Sequence, residues 1–111
     1  MLIRQNGSVP LLTTTVQGTV GPWVKCYGLG QTYQAVANGT AGAFTSTVTI
    51  QASNDGVTPV NTNVGTITTN GTAPTVASDG FTTGTAPWAW IRATSTILTG
   101  TGASVTIWMG C

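Results

Sequence analysis

The sequence of 111 residues predicts an all-β fold, a single-domain antiparallel β-sandwich or jelly roll of about seven or eight short strands. Three observations predict this fold. Apolar and polar residues alternate with a period of two in several segments, which is typical of strands with one buried face. Clusters of Gly, Pro, Asn and Asp separate these segments, as turns do. No segment repeats its apolar residues with the helical period of about 3.6 residues.

The first half of the chain predicts four strands that end at glycine, proline or asparagine. Residues 8–15 (SVPLLTTT) form the first, and Pro10 restricts it to the edge of a sheet. Residues 23–27 and 33–37 predict the second and third strands. Residues 45–53 predict the fourth, which alternates most clearly in this half.

The second half predicts further short strands between turns. Residues 54–56 (Asn-Asp-Gly) carry a strong turn signal that closes the fourth strand. Residues 60–69 predict a fifth strand, residues 70–80 a loop, and Phe81 a short sixth strand. We find no linker, so we expect one domain over residues 1–111, with residues 1–8 as a flexible N-terminal arm.

The strictest alternation occurs in residues 88–94 and 104–109, with Gly100 and Gly102 between them. We therefore predict that these segments form a long final hairpin. One face of this hairpin is small and aliphatic, which suits packing on a second sheet. The other face has more aromatic area than is usually left bare to water. Its side chains are Trp88, Trp90, Arg92 and Trp108.

The charge of the chain excludes several partner classes. It has three basic and two acidic side chains, no His, and a net charge of +1. Binding to nucleic acid requires clustered Lys and Arg, so we expect no nucleic-acid partner. Binding to an anionic membrane surface also requires clustered Lys and Arg, so we expect no membrane partner. No apolar run reaches the ~20 residues of a membrane span. Low charge also permits dense packing beside copies of the chain or a partner.

The residue types for catalysis and metal binding are nearly missing from the sequence. It has no His and no Glu, and Asp55 and Asp79 each precede a glycine, where we predict that they serve turns. Cys26 has no His with which to form a thiolate site. Two cysteines without His cannot complete a zinc shell, and a calcium site would need clustered acids. We expect no enzyme activity, no cofactor and no metal.

The N-terminus, the cysteines and the Asn-Gly pairs bear on where the chain is made and how it is modified. The N-terminus MLIRQNGSVPLL does not fit a secretory signal, which favours synthesis in a cytoplasm. Cys26 and Cys111 are then expected as free thiols, the alternative being a bridge formed in an oxidising medium. Asn6, Asn38 and Asn70 fit the glycosylation pattern, but we interpret these Asn-Gly pairs as turns.

The tryptophans allow three interpretations. Trp90 and Trp108 could pair across strands and pack under a loop, which stabilises the fold. They could instead form a protein interface with Arg92, since Trp and Arg are enriched at binding hot spots. They could also form a stacking platform for sugars. Arg92 could stack on an aromatic neighbour or reach a carboxylate on another subunit.

Two stretches resemble small bacteriophage virion proteins. STVTIQASNDGVTPVNTNVGTIT, within residues 46–69, resembles their strand–turn–strand core. WAWIRATSTILTGTGASVTIWMG, residues 88–110, resembles their closing hairpin. The resemblance implies a β-sandwich that is built into a phage particle. The size of the chain then favours a capsid decoration (cement) protein, a class without catalytic residues.

The resemblance also implies partners and a location. Such proteins decorate the capsid exterior as homo-oligomers, with a trimer favoured, and clamp neighbouring subunits of the major capsid protein. The chain would be made in the host bacterial cytoplasm and end on the virion surface. Alternatives are a tail, neck or fibre-tip module, or a carbohydrate-binding β-sandwich that uses exposed Trp. The predicted interface residues are Trp88, Trp90, Arg92 and Trp108, with Leu2, Ile3 and Arg4 in the N-terminal arm.

Overall fold

The computed structural model describes residues 8–25, 31–61, 63–83 and 88–110. These residues form eight β-strands, and no helix lies in the described part of the chain. Within the same ranges there is accordingly no helix that could cross a membrane. The strands are β1 (Ser8–Thr14), β2 (Val24–Lys25), β3 (Gln31–Asn38), β4 (Ala41–Ser53), β5 (Gly65–Thr72), β6 (Ala77–Thr83), β7 (Trp90–Thr101) and β8 (Ser104–Gly110).

The strands form two four-stranded antiparallel sheets. Sheet A has the order β1-β8-β3-β6, and sheet B has the order β2-β7-β4-β5. The antiparallel pairs β1–β8, β2–β7, β3–β6 and β4–β5 are nested one inside the next. Eight strands paired in this way in two sheets form a jelly roll. The predicted all-β sandwich is therefore confirmed.

The hydrophobic core lies between the sheets, because alternate residues of each strand point inward. In β8 of sheet A, Val105, Ile107 and Met109 are no more than 1% exposed. In β4 of sheet B, Val48 and Ile50 are fully buried in the same core. Each such side chain contributes about 1.5–3 kcal/mol when it is removed from water. The alternation predicted for both strands is confirmed.

The predicted hairpin of β7 and β8 is wrong. β7 pairs with β2 and β4 in sheet B, whereas β8 pairs with β1 and β3 in sheet A. Gly100 and Gly102 do have positive φ angles, of 118° and 62°, but their turn carries the chain from one sheet to the other. Alternation identifies the buried side of a strand and leaves its neighbour in the sheet undetermined.

The chain between β1 and β2 crosses from sheet A to sheet B. β1 is an edge strand beside β8, as Pro10 predicts. After the crossing, the amide of Gly18 donates to the Ser95 carbonyl at 2.7 Å, and the amide of Gly21 donates to the Ala93 carbonyl at 2.8 Å. The segment before β2 therefore follows β7 and extends the edge of sheet B.

Three strands begin earlier than the sequence predicts, among them β3, which begins at Gln31 and not at residue 33. β4 begins at Ala41 and not at residue 45. β6 begins at Ala77, inside the predicted loop of residues 70–80, and pairs with β3 along its length. Small and polar residues have weak strand propensity, so pairing with a neighbouring strand determines the conformation at the starts of β4 and β6.

Two predicted turns lie inside strands. Asn70 and Gly71 belong to β5, where Gly71 leaves space for the Phe44 ring of β4. Asp79 lies within β6 opposite Ala35, and its Oδ1 accepts a hydrogen bond from the following Gly80 amide at 2.8 Å. The turn predicted at Asp79 is therefore wrong, although its carboxylate does bond the local backbone.

Candidate protein-binding surface

Aromatic and basic side chains gather on the outer face of sheet B, where β2 lies beside β7. The register places Lys25 opposite Trp90. Trp90 and Arg92 flank the fully buried Ile91, so both side chains point outward. Trp23, immediately before β2, lies against Arg92. We call Trp23, Lys25, Trp90 and Arg92 the Trp–Arg patch.

The Arg92 side chain is held from two sides. Its Cζ lies 4.5 Å from the centroid of the Trp23 ring, within the range of a cation–π interaction. Its Nε donates a 2.7 Å hydrogen bond to Oε1 of Gln51, its partner on β4. Thr94 Oγ1 donates to the same oxygen at 3.4 Å. These contacts position the guanidinium at the surface of the sheet.

Trp90 packs on the turn that follows β4. Its ring lies over Gly56, where a Cβ would come within 3.1 Å of the ring atoms. Gly56 also has a φ of 73°, so both the close approach and the backbone favour glycine. The Nζ of Lys25 lies 5.4 Å from the centroid of the Trp90 ring. The packing of Trp90 against a loop is therefore confirmed.

Asp55 holds this turn together. Its Oδ1 accepts hydrogen bonds from the Thr58 amide at 2.7 Å, the Ser53 hydroxyl at 2.7 Å and the Val57 amide at 2.8 Å. These bonds, with the Thr58 amide as the largest cause, lower the pKa of the Asp55 carboxyl well below its usual range. The predicted turn role of Asp55 is confirmed.

A chain of two hydrogen bonds, the first of them buried, connects Tyr33 to Trp88 just before β7. Tyr33 Oη donates to Gln31 Oε1 at 2.7 Å, and Gln31 Nε2 donates to the Trp88 carbonyl at 3.4 Å. Burial raises the pKa of Tyr33, which keeps its hydroxyl protonated as a donor. The next residue, Ala89, donates its amide to Asn54 Oδ1 at 3.2 Å. Residues of sheet A and of the turn after β4 thus both hold the segment that leads into β7 and the patch.

The predicted interface residues do not share one face. Trp90 and Arg92 lie on sheet B, whereas Trp108 lies on the outer face of sheet A between Pro10 and Gln34. The predicted pairing of Trp90 with Trp108 is therefore wrong, because β7 and β8 belong to different sheets. The predicted arm residues Leu2, Ile3 and Arg4 lie outside the described residues, as do Cys26 and Cys111.

Trp23 belongs to the patch, although it is not among the interface residues predicted from the sequence. A signal for it exists in the sequence. Trp23-Val-Lys25 and Trp90-Ile-Arg92 are both a Trp followed two residues later by a basic residue. When two such strands pair antiparallel, each Trp lies beside the basic residue of the other strand. The register of β2 and β7 produces this exchange.

The chemistry of the patch suits binding. Partly exposed Trp rings and an oriented guanidinium are the groups that carry most of the free energy in protein interfaces. Within the described ranges, no group of three or more His, Cys, Asp or Glu side chains could hold a metal ion. Comparisons with protein-family models, curated proteins and solved structures find no match for this chain.

Proposed function

We propose that the chain is a non-enzymatic structural protein of a bacteriophage virion, which decorates and stabilises the capsid exterior. The observation that carries the proposal is the Trp–Arg patch. Lys25 and Arg92 are the basic side chains of the described residues, and both lie on Trp rings in one patch. In a chain with 5% charged residues, the described part thus brings its two basic side chains together with two Trp rings.

The jelly roll supports the proposal by analogy. Jelly rolls form viral capsid and lectin domains, among others. A fold by itself does not determine function, so this support is weaker than that of the patch. Together with the resemblance of residues 46–69 and 88–110 to phage virion proteins, it favours a place on a particle.

The mechanism would be thermodynamic. A folded protein that binds only the assembled shell stabilises that shell by mass action. The symmetry of a capsid repeats each contact many times, so a modest affinity per contact is sufficient. The partners would be the major capsid protein and other copies of this chain, with a trimer favoured. Leu2, Ile3 and Arg4 would add a second contact. The chain would be made in the bacterial cytoplasm and located on the virion surface.

The location can be tested by immunogold electron microscopy of virus particles from the source, with antibodies against this chain. Gold spread over the heads is the expected result. Gold confined to the neck or tail would replace the proposal with a tail, neck or fibre-tip role. No gold on any particle would refute a virion role. A glycan array would then test the sugar-binding alternative, which the exposed Trp rings favour.

The surface can be tested with two matched variants. Trp90→Ala is expected to reduce occupancy on heads more than tenfold, because Trp at the centre of an interface commonly contributes about 2 kcal/mol or more. Trp108→Ala removes a Trp that is 37% exposed on the opposite sheet, and is expected to leave occupancy unchanged. Circular dichroism would establish that both variants fold. A loss of occupancy on heads for Trp108→Ala alone would assign the interface to sheet A.

A further inference from the structure

Arg92 is prepared for a specific kind of ligand group. Arginine binds carboxylates through two parallel N–H···O bonds when its planar guanidinium is held in place. Here Trp23 lies 4.5 Å from the guanidinium carbon, and Gln51 accepts from Nε at 2.7 Å. Within the described residues, the hydrogen bonds of the guanidinium involve Nε alone. The two terminal nitrogens therefore remain for a ligand.

The acidic side chains of the described residues are engaged elsewhere. The carboxylate of Asp55 accepts three bonds within its own turn, from Ser53, Val57 and Thr58. Asp79 lies on β6 of the other sheet and accepts from Gly80. Neither of these two Asp side chains is hydrogen-bonded to Arg92, which favours a carboxylate from a second molecule.

We propose that Arg92, oriented by Trp23 and Gln51, docks a Glu or Asp side chain of the partner protein. The inference rests on the proposed function, since it takes the Trp–Arg patch as the surface that meets a capsid subunit. Charge complementarity supports it, because Lys25 adds a second positive charge beside Trp90 in the same patch. Burial of the carboxylate between Trp rings would strengthen its bonds to Arg92 by excluding water.

The proposal can be tested without any particle by NMR of the ¹⁵N-labelled protein. The probes are acetyl-Gly-Glu-Gly-amide and its Gln analogue, titrated at constant ionic strength and pH 7. The Glu peptide is expected to shift the Arg92 Nε–H and Trp23 indole N–H signals saturably, at least fivefold more than the Gln peptide. In Arg92→Lys, which keeps the charge but lacks the planar fork, the indole response is expected to disappear.

Equal shifts with the two peptides, or an undiminished indole response in Arg92→Lys, would overturn the proposal. A methyl glucuronide that outperforms the Glu peptide would also overturn it, and would assign the carboxylate to an acidic sugar. A different result would refute the proposed function. If the peptides behave as expected but no gold labels a particle, the carboxylate site stands and the virion role is lost.

Discussion

Three buried hydroxyl groups on the inner face of sheet B provide the sharpest test of the packing. Ser46, Thr69 and Ser95 have hydroxyl oxygens that are inaccessible to solvent and have no hydrogen-bond partner within the described part of the chain. Ser46 and Thr69 lie directly opposite each other on β4 and β5. A buried hydroxyl without a partner destabilises the folded state by about 1–3 kcal/mol.

Thr69→Val removes one of these hydroxyls with almost no change in shape. Thr69 is 4% exposed, so the new methyl group is also buried. We expect the free energy of unfolding to rise by about 1–2 kcal/mol, since the penalty is relieved and apolar area is added. For a domain of this size, that gain corresponds to a rise in Tm of roughly 4–8 °C.

The adjacent Thr68 is the matched control. It points outward from β5, is exposed, and shares a 3.2 Å hydrogen bond with Thr47. Thr68→Val is expected to change stability by no more than about 0.5 kcal/mol. Both variants would be measured by urea unfolding, in which an unchanged m value shows that the unfolded states are comparable. A loss of stability in Thr69→Val would refute the reasoning and indicate a partner such as a buried water.

Two further predictions concern the residues that position the patch. Folding lowers the pKa of Asp55 below its unfolded value of about 3.9, so its carboxylate stabilises the fold above that pH and loses this effect as the pH falls toward the folded-state pKa. Asp55→Asn should therefore lower Tm at pH 7, with a difference from wild type that narrows below about pH 4 in thermal melts; a difference independent of pH would contradict this. Tyr33→Phe removes a buried hydrogen bond to Gln31 and should cost about 1–2 kcal/mol in urea unfolding. A cost below about 0.5 kcal/mol would show that this bond contributes little.

The sequence predicts the buried side of each strand better than the neighbours of the strand. Val105, Ile107 and Met109 point into the core as their alternation predicts. Adjacent strands with glycines between them also predict a local hairpin, yet β7 and β8 belong to different sheets. Long-range pairing depends on which partner buries most apolar surface, and no local pattern contains that information.

The candidate site was predictable to a similar degree. Alternation and residue type identify Trp90 and Arg92 as neighbours on one outer face. They cannot identify Trp23 as the ring beside Arg92, because that contact depends on the pairing of β2 with β7. The predicted pairing of Trp108 with Trp90 is wrong for the same reason. Both errors concern the arrangement of strands in the sheets.

The nested pairing of the strands has a consequence for how the chain folds. β4 and β5 are the innermost pair and lie close together in sequence, so closing the loop between them costs little entropy. The outermost pair joins Ser8 to Gly110 and must wait for the last strand. During synthesis, β1, β2 and β3 are therefore made long before β8, β7 and β6. We infer that folding begins at β4–β5 and proceeds outward, and that the first three strands stay without their antiparallel partners until β6, β7 and β8 are made.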